Sequence, residues 1–339
     1  MSGSRNSLPL IDRVTLRPFL ELMESCGAPS EKLLEQAHLP RHPRTTAGQF
    51  VSGRSLLRFL SISARDLEVE SLGWLVAAES EITRLGAWGK PISRYPTLRD
   101  AIGAFCELYP REVTFVRLGL SFERDSVWFW RRRRLPSRNP AGELQGEQFT
   151  LGAMVKVVRQ FAGDGWMPSA IRLDSGSPES LLRAGAGRDA ELSLNHDAMA
   201  ISIPSDLLDR RLPPARSANS RFVGEHNSPI APQDFLGAMH TALDAIVSVE
   251  KLSIELGAEI AGTSPRTLRR WLHQEGTTWR RVVDGVRLER SVRLLLNSPL
   301  SLAEISFEIG YSDAAHFTRA FQRWTGEGPR AYRRRRLIQ

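Results

Sequence analysis

The stretch that most constrains this 339-residue chain is Ser301–Tyr332, SLAEISFEIGYSDAAHFTRAFQRWTGEGPRAY. Leu302, Ile305 and Ile309 recur at i, i+3 and i+7, one face of a short amphipathic helix. Gly310 follows, the residue type that most readily takes the φ > 0 conformation at a helix C-terminus. Ser312 and Asp313 are both good N-cap residues for a second helix. In that helix Phe317, Ala320, Phe321 and Trp324 share one face, while His316, Arg319 and Arg323 share another. Gly326 stops it, and Gly328–Pro329 opens a last short segment. Helix, tight turn, helix is a helix-turn-helix, a shape that lays its second helix in the major groove of DNA.

The same pattern occurs a second time, upstream. Phe235–Val249 reads as an amphipathic helix, and Ile254–Gly276, IELGAEIAGTSPRTLRRWLHQEG, follows it. Ile254, Leu256 and Ile260 pack the first helix of the pair, and Gly262 makes the turn. Thr263 or Ser264 caps the second helix, with Pro265 at a first-turn position it tolerates. Leu268, Trp271 and Leu272 form its buried face. Arg266, Arg269 and Arg270, at i, i+3 and i+4, point one way, as guanine readout or phosphate clamping requires. Between the two units, Thr278–Asn297 reads as one helix, roughly 27–30 Å long at 1.5 Å per residue. A rod of that length sets two recognition helices about one DNA turn, roughly 34 Å, apart.

Charge and composition agree with an acidic partner. The net charge is +8; residues 240–339 hold 16 Lys/Arg against 11 Asp/Glu, and the rest of the chain 30 against 27. A basic excess concentrated in one segment is the electrostatic footprint of nucleic-acid binding. The two cysteines, Cys26 and Cys106, exclude a disulfide framework and fit a reducing compartment. No apolar signal region opens MSGSRNSLPLIDRV, and no run reaches the roughly 18 apolar residues of a membrane span. The expected location is therefore cytoplasmic and nucleoid-associated.

The first two hundred residues read as a mixed domain. Helical periodicity marks Val14–Cys26, Ser30–Ala37 with Ser30 as cap, Ser55–Arg65, Ser71–Glu79, Thr97–Tyr109 stopped by Pro110, Phe149–Phe161 and Pro178–Ala184. Leu85–Pro91 is glycine-rich and irregular. Val113–Leu120 and Ser126–Arg132 predict a β-hairpin turning at Glu123–Asp125, and Ala170–Asp174 and Ala198–Ile203 predict further strands. The fold class is mixed α/β (α+β) for this half and all-α for the other. Prolines and asparagines between Ser205 and Pro232 mark the boundary, giving an N-terminal domain at 1–215, a linker at 216–233 and a DNA-binding domain at 234–339.

Nothing in the N-terminal half carries recognisable catalysis, and no cofactor is expected. AGAG at residues 184–187 lacks the G-K-[ST] of a phosphate loop. His38 and His42 are spaced i, i+4, but Pro40 and Pro43 break any helix that would align them on a metal. Arg131–Arg134 ends a strand and reads first as a solvated charge run, with an anionic ligand or DNA as the alternative. Trp88, Trp128, Trp130 and Trp166 read as core before they read as a ligand pocket.

These motifs together resemble the DNA-binding domain of the AraC/XylS family of bacterial transcription regulators. The resemblance runs through Ala261–Gly276, Arg287–Leu295 and Ser301–Arg333, about a hundred residues. More weakly, Leu85–Leu108, Gly165–Leu173 and Ala198–Leu212 resemble the N-terminal "arabinose-binding" domain of the OruR- and VirS-like subgroup. The resemblance implies base contacts from Arg266, Arg269 and Arg270 in one unit (about 253–275) and Ala315, His316 and Arg319 in the other (about 301–325). Phosphate contacts are expected from Thr263, Ser264, Ser312, Arg323 and Arg330, with the Arg333–Arg336 tail either on phosphate or merely solubilising. Gly285 and Ser291 depart from the family pattern inside the rod. The implied function is an activator that binds promoter DNA, contacts RNA polymerase, and responds to a small effector or to homodimerisation through its N-terminal domain. A constitutive DNA-binding protein that only dimerises, and a DNA-tethered enzyme with an activated cysteine, are the alternatives.

Overall fold

The computed structural model describes residues 8–41, 49–123, 126–134, 139–174, 178–185, 187, 189–212 and 230–337. Most of the expected linker, His42 and the tip of the expected hairpin turn lie outside the described residues. Two compact units result, one from Pro9–Ala37 with Pro43–Ala231, the other chiefly from Pro232–Gln339.

The first unit begins with a short antiparallel pair, β1 (Leu10–Asp12) with β2 (Phe50–Ser52). Helices α1 (Arg17–Ser25) and α2 (Ser30–Gln36) lie between these strands in sequence, and α3 (Gly53–Asp66), α4 (Leu72–Glu79), α5 (Gly89–Ile92) and α6 (Leu98–Glu112) follow. Then come β3 (Val116–Glu123), β4 (Ser126–Arg133), α7 (Pro140–Ala162), β5 (Ala170–Arg172), α8 (Glu179–Arg183), β6 (Glu191–Ser193) and β7 (Met199–Pro204). The five longer-range strands form one sheet in the order β3-β4-β7-β5-β6. Every pairing is antiparallel except β5 with β6. The expected α+β class is what forms.

The unit is organised on α7. Phe149, Leu151, Met154, Val155, Val157, Val158 and Phe161 are all buried, which places α7 in the core of the unit. Helix α4 crosses it at close range: a Cβ on Gly73 would lie 1.9 Å from the Gln145 carbonyl oxygen. Trp88 is fully buried, edge-on to Phe105 at 4.6 Å, and Phe105 meets Phe129 of β4 at 5.8 Å. Trp88 is thus core; Trp128 is buried as well, with the Arg172 guanidinium 3.6 Å from its ring.

The structure corrects five local readings. Helix α6 runs through Pro110 to Glu112, and the Val113 N–H still reaches the Tyr109 carbonyl at 3.0 Å. So near the C-terminus, proline forfeits one intrahelical bond and does not end the helix. Helix α7 starts at Pro140, with Asn139 accepting the Gly142 N–H at 3.1 Å, well before the expected Phe149. Ser30 is the first helical residue and not the cap, and one helical turn, α5, ends the stretch read as irregular. The run Arg131–Arg134 is not a solvated strand end. Strand alternation turns Arg131 and Arg133 inward and leaves Arg132 and Arg134 exposed, with Arg133 Nε 3.1 Å from Asp174 and its Nη1 on Glu143.

One buried acid sets a pH dependence. Glu112 is 3% exposed and accepts the Trp88 backbone N–H at 2.9 Å. Burial, and then the Asp12 carboxylate, push its carboxyl up to about 8. In the unfolded chain the same group titrates near about 4.3. Between those values the folded state holds a proton that the unfolded state has released, so this group makes stability fall as pH rises. Glu112→Gln keeps the acceptor for Trp88 and should flatten the decline of thermal midpoint from pH 5 to 8. An unchanged slope in the variant would refute the assignment.

Candidate nucleic-acid interface

The second unit contains α9 (Phe235–Asp244), α10 (Ile254–Ala261), α11 (Pro265–Gln274), α12 (Trp279–Asn297), α13 (Leu302–Glu308), α14 (Ala314–Thr325) and α15 (Pro329–Leu337). Helices α10 and α11 form the first helix-turn-helix. Ser253 caps α10, and Gly262 turns the chain at φ 64°. Ser264, and not Thr263, is the cap of α11, its Oγ accepting the Thr267 N–H at 3.2 Å, with Pro265 at the first helical position. Leu268 and Leu272 are buried, and Trp271 stands edge-on to Phe235 at 5.6 Å. That packing fixes which face remains outside. Arg266, Arg269 and Arg270 are exposed, and among the described residues their guanidinium groups have no hydrogen-bond or ion-pair partner. His273, one further turn along the same face, is exposed too; its spacing of seven from Arg266 was the available signal, and the reading from sequence passed over it.

Helices α13 and α14 form the second. Ser301 and Glu304 make a reciprocal capping box, the Glu304 N–H on Ser301 Oγ at 3.2 Å and the Ser301 N–H on Glu304 Oε2 at 2.7 Å. These bonds, the Ser301 side chain first, hold the Glu304 carboxyl below its ordinary range. Gly310 turns the chain at φ 76°. Of the two candidate caps, Asp313 is the one used: it accepts the His316 N–H at 2.8 Å, and that bond, with the His316 ring beside it, holds its carboxyl low. Phe317, Ala320 and Phe321 are buried, while Ala315, His316 and Arg319 are exposed. Arg319 has no partner among the described residues; His316 Nδ1 lies 2.7 Å from Asp313 Oδ2.

Helix α12 joins the units without interruption, capped by Thr278. Its first turns pack the first unit: the Trp279 ring lies against Gly257 of α10 and donates its indole N–H to the Leu252 carbonyl at 3.2 Å. Near its end Leu295 joins Ile305, Ile309, Phe317 and Phe321 in one core. Three arginines tie other elements to it. Arg287 stacks on Tyr311 at 4.7 Å, Arg290 reaches the Asp244 carbonyl at 2.6 Å and Glu308 at 3.2 Å, and Arg293 reaches the Asp244 carboxylate at 2.7 Å. Ser291 is buried with its Oγ donating to the Leu288 carbonyl at 2.7 Å, so the hydroxyl is accommodated within the helix.

The remaining basic residues divide. Arg330 is exposed and has no partner among the described residues, whereas Arg323 lies 3.6 Å from Asp284 of α12. Arg333 donates to the Leu295 carbonyl at 2.9 Å, in the last turn of α12, and to the Leu300 carbonyl at 2.7 Å just beyond it, supplying donors where the helix leaves carbonyls open. Thr263 is half-buried in the first turn; Ser312 is exposed, 3.4 Å from the Asp313 carboxylate.

Comparison with known proteins decides the family. Residues 258–335 match the model of a helix-turn-helix domain, and residues 27–212, over half of the chain, match that of the arabinose-binding domain of AraC transcription regulators. The chain belongs to the AraC family. It is similar to the HTH-type transcriptional regulator VqsM of Pseudomonas aeruginosa, 29% identical over 207 residues, 58% of this chain and 62% of that one. It is also similar to the ornithine utilization regulator of the same organism, 31% identical over 137 residues, 39% of this chain and 40% of that one. The chain thus spans less than two thirds of these relatives. Among solved structures, CdpR from Pseudomonas aeruginosa aligns over 95% of this chain and 98% of that one, at 19% identity and a TM-score of 0.41. The DNA-binding domain of AdpA in complex with a target DNA aligns over 30% of this chain and 90% of that one, at 25% identity and a TM-score of 0.27. Among the described residues no helix is long and apolar enough to cross a membrane.

Two helical glycines of this unit should respond to alanine with opposite sign. A Cβ on Gly257 would sit 2.2 Å from the anchored Trp279 ring, so Gly257→Ala should cost about 1–3 kcal/mol through overpacking. On Gly285 it would meet only His240 at 3.6 Å, so Gly285→Ala should gain up to about 1 kcal/mol from helix propensity. Urea denaturation of the full chain measures both, and a destabilised Gly285→Ala would show that the rod needs its glycine.

Proposed function

We propose that this chain is a sequence-specific DNA-binding transcription regulator with a bipartite reader at 234–339 and a sensing or self-associating domain at 1–215, joined by a linker at 216–233. One observation carries the reading: two recognition helices of the same construction, α11 and α14, each bury an apolar face and turn to solvent at least one arginine that has no partner among the described residues. An exposed guanidinium with no carboxylate beside it is free to meet phosphate oxygens or the O6/N7 edge of guanine. Arg266, Arg269 and Arg270 supply most of the base readout, and Ala315, His316 and Arg319 read a second, less polar half-site. Thr263, Ser264, Ser312, Arg323 and Arg330 position the backbone, and Arg323 gives up Asp284 to do so. Occupancy of the N-terminal domain, by a small effector or a second copy, changes how the reader engages a promoter in the cytoplasm and activates RNA polymerase there.

The chemistry of the cysteines weighs against a DNA-tethered enzyme. A transferase nucleophile needs a thiolate near neutral pH, whereas burial, and then Glu107, push the Cys106 thiol up to about 12. That leaves exposed Cys26, whose surroundings in sequence are not basic.

Footprinting and salt titration test the assignment. Arg269→Ala or Arg319→Ala should lose about 1–3 kcal/mol of specific binding and relax discrimination at one base pair. Arg330→Ala should instead weaken all sequences alike and lower the salt slope by about one. Wild-type footprints from both of the first two variants would show that α11 and α14 present the wrong faces.

A further inference from the structure

The outward half of the β4 arginine run serves neither the core nor the two recognition helices. Arg117 of β3 stands directly opposite Arg132 in the antiparallel register, and Arg134 follows on the same face by the side-chain period of two. All three are exposed, and among the described residues none of their guanidinium groups has a hydrogen-bond or ion-pair partner. The turn end of the same face is different. There Arg172 donates from both terminal nitrogens to Glu123, at 2.9 and 3.0 Å, and lies over Trp128 at 3.6 Å. Between the two ends the Trp130 ring covers Gly119, where a Cβ would sit 2.4 Å from it, and the Arg132 guanidinium is 5.7 Å from the ring centroid. That distance is within cation–π range and keeps Arg132 on the face. Partial burial, and then the Arg117 guanidinium, lower the Arg134 pKa from its ordinary value. Like charges directly opposite one another cost stability in a sheet, and no carboxylate among the described residues relieves this pair.

We propose that this corner of the sheet, Arg117, Arg132 and Arg134, binds the phosphate backbone of double-stranded DNA, giving the N-terminal unit a contact of its own with the polyanion. The inference rests on DNA binding by this chain and extends it beyond residues 234–339. Neighbouring strands lie about 4.8 Å apart, and two residues along a strand span about 7 Å, so three positive charges share one small patch. Duplex DNA presents a negative charge about every 1.7 Å of its axis, a density of the same order. Guanidinium groups match phosphate oxygens in shape and donor spacing. Small ligands prefer concave sites, whereas these side chains stand exposed on a strand face, which suits an extended partner. An acidic protein carries the same sign of charge. Duplex DNA is nevertheless the polyanion that the helix-turn-helix units of this chain hold, at the effective concentration a tether sets.

Salt titration of the full chain on a long mixed-sequence duplex tests it. Each phosphate contact contributes about 0.9 to the slope of log affinity against log salt, roughly eightfold in affinity for each tenfold dilution. The triple variant Arg117→Gln, Arg132→Gln and Arg134→Gln should therefore lower the slope by about two to three. Arg117→Gln alone should lower it by about one, which keeps the test open if the triple variant does not fold. A second triple variant, Lys32→Gln, Arg65→Gln and Arg94→Gln, removes the same charge from scattered exposed sites of the same unit and should leave the slope unchanged. An unchanged slope in the sheet variants, or an equal fall in the scattered one, would overturn the proposal. If the sheet variants keep the slope but lose binding to polyglutamate, the patch belongs to an acidic protein instead. A reader variant, Arg266→Gln, Arg269→Gln and Arg270→Gln, separates the two readings. Should it bind like wild type while the sheet variants lose slope, the assignment of α11 fails and the patch stands; a slope lost only in the reader variant does the reverse.

Discussion

The burial of one apolar face of each short helix is what the rest of the C-terminal unit depends on. Helices of ten and twelve residues, such as α11 and α14, are marginal in water by themselves. They persist because Leu268 and Leu272, and then Phe317 and Phe321, are removed from solvent, each such side chain contributing on the order of 2 kcal/mol. The same burial dictates the outward face. Once Phe317, Ala320 and Phe321 point in, Ala315, His316 and Arg319 have no direction left but out. Exposure of the reading residues is a consequence of the core.

Charge is distributed by the same logic. The C-terminal excess of arginine looks uniform along the sequence, yet the structure sorts it by what lies within reach. Arg287, Arg290, Arg293 and Arg333 end on carbonyls, a tyrosine ring or carboxylates, where they fasten α9, the second turn and the end of the rod. Arg266, Arg269, Arg270, Arg319 and Arg330 end in solvent with no partner among the described residues. Fastened arginines cannot bind an anion without breaking a contact, and free ones lose only mobility. The division therefore separates residues that hold the reader's shape from residues available to a polyanion.

Legibility followed the range of the interactions involved. Helix-turn-helix units were readable because their determinants are local: glycines at Gly262, Gly310 and Gly326 with positive φ, caps within three residues, and apolar spacing within one helix. Even there the choice between Thr263 and Ser264, or Ser312 and Asp313, needed the structure, since adjacent polar residues are equivalent until the helix start is fixed. In the N-terminal unit the determinants are distant. Helix α7 begins nine residues before its apolar periodicity becomes clear, because Gly142 and Gln145 are selected by close approach to α3 and α4. Strand β6, three residues long and half exposed, forms only because β5 offers a parallel edge. Partners for Arg266, Arg269, Arg270, Arg319 and Arg330 are not legible from the fold, since none lies among the described residues.

The arginine run on β4 shows how far a short-range reading reaches. From sequence, four consecutive arginines at a strand end are a solvated patch, because burying a cation is expensive. Strand geometry overrides that average: with a side-chain period of two, a run of four must send two residues to each face. On the outer face Arg132 settles over Trp130 at 5.7 Å. On the inner face the cost has to be met by carboxylates, and Arg133 takes both Glu143 and Asp174. Arg131 is then left with only a distant share of Asp174. A core that tolerates such a group gives up stability at that point.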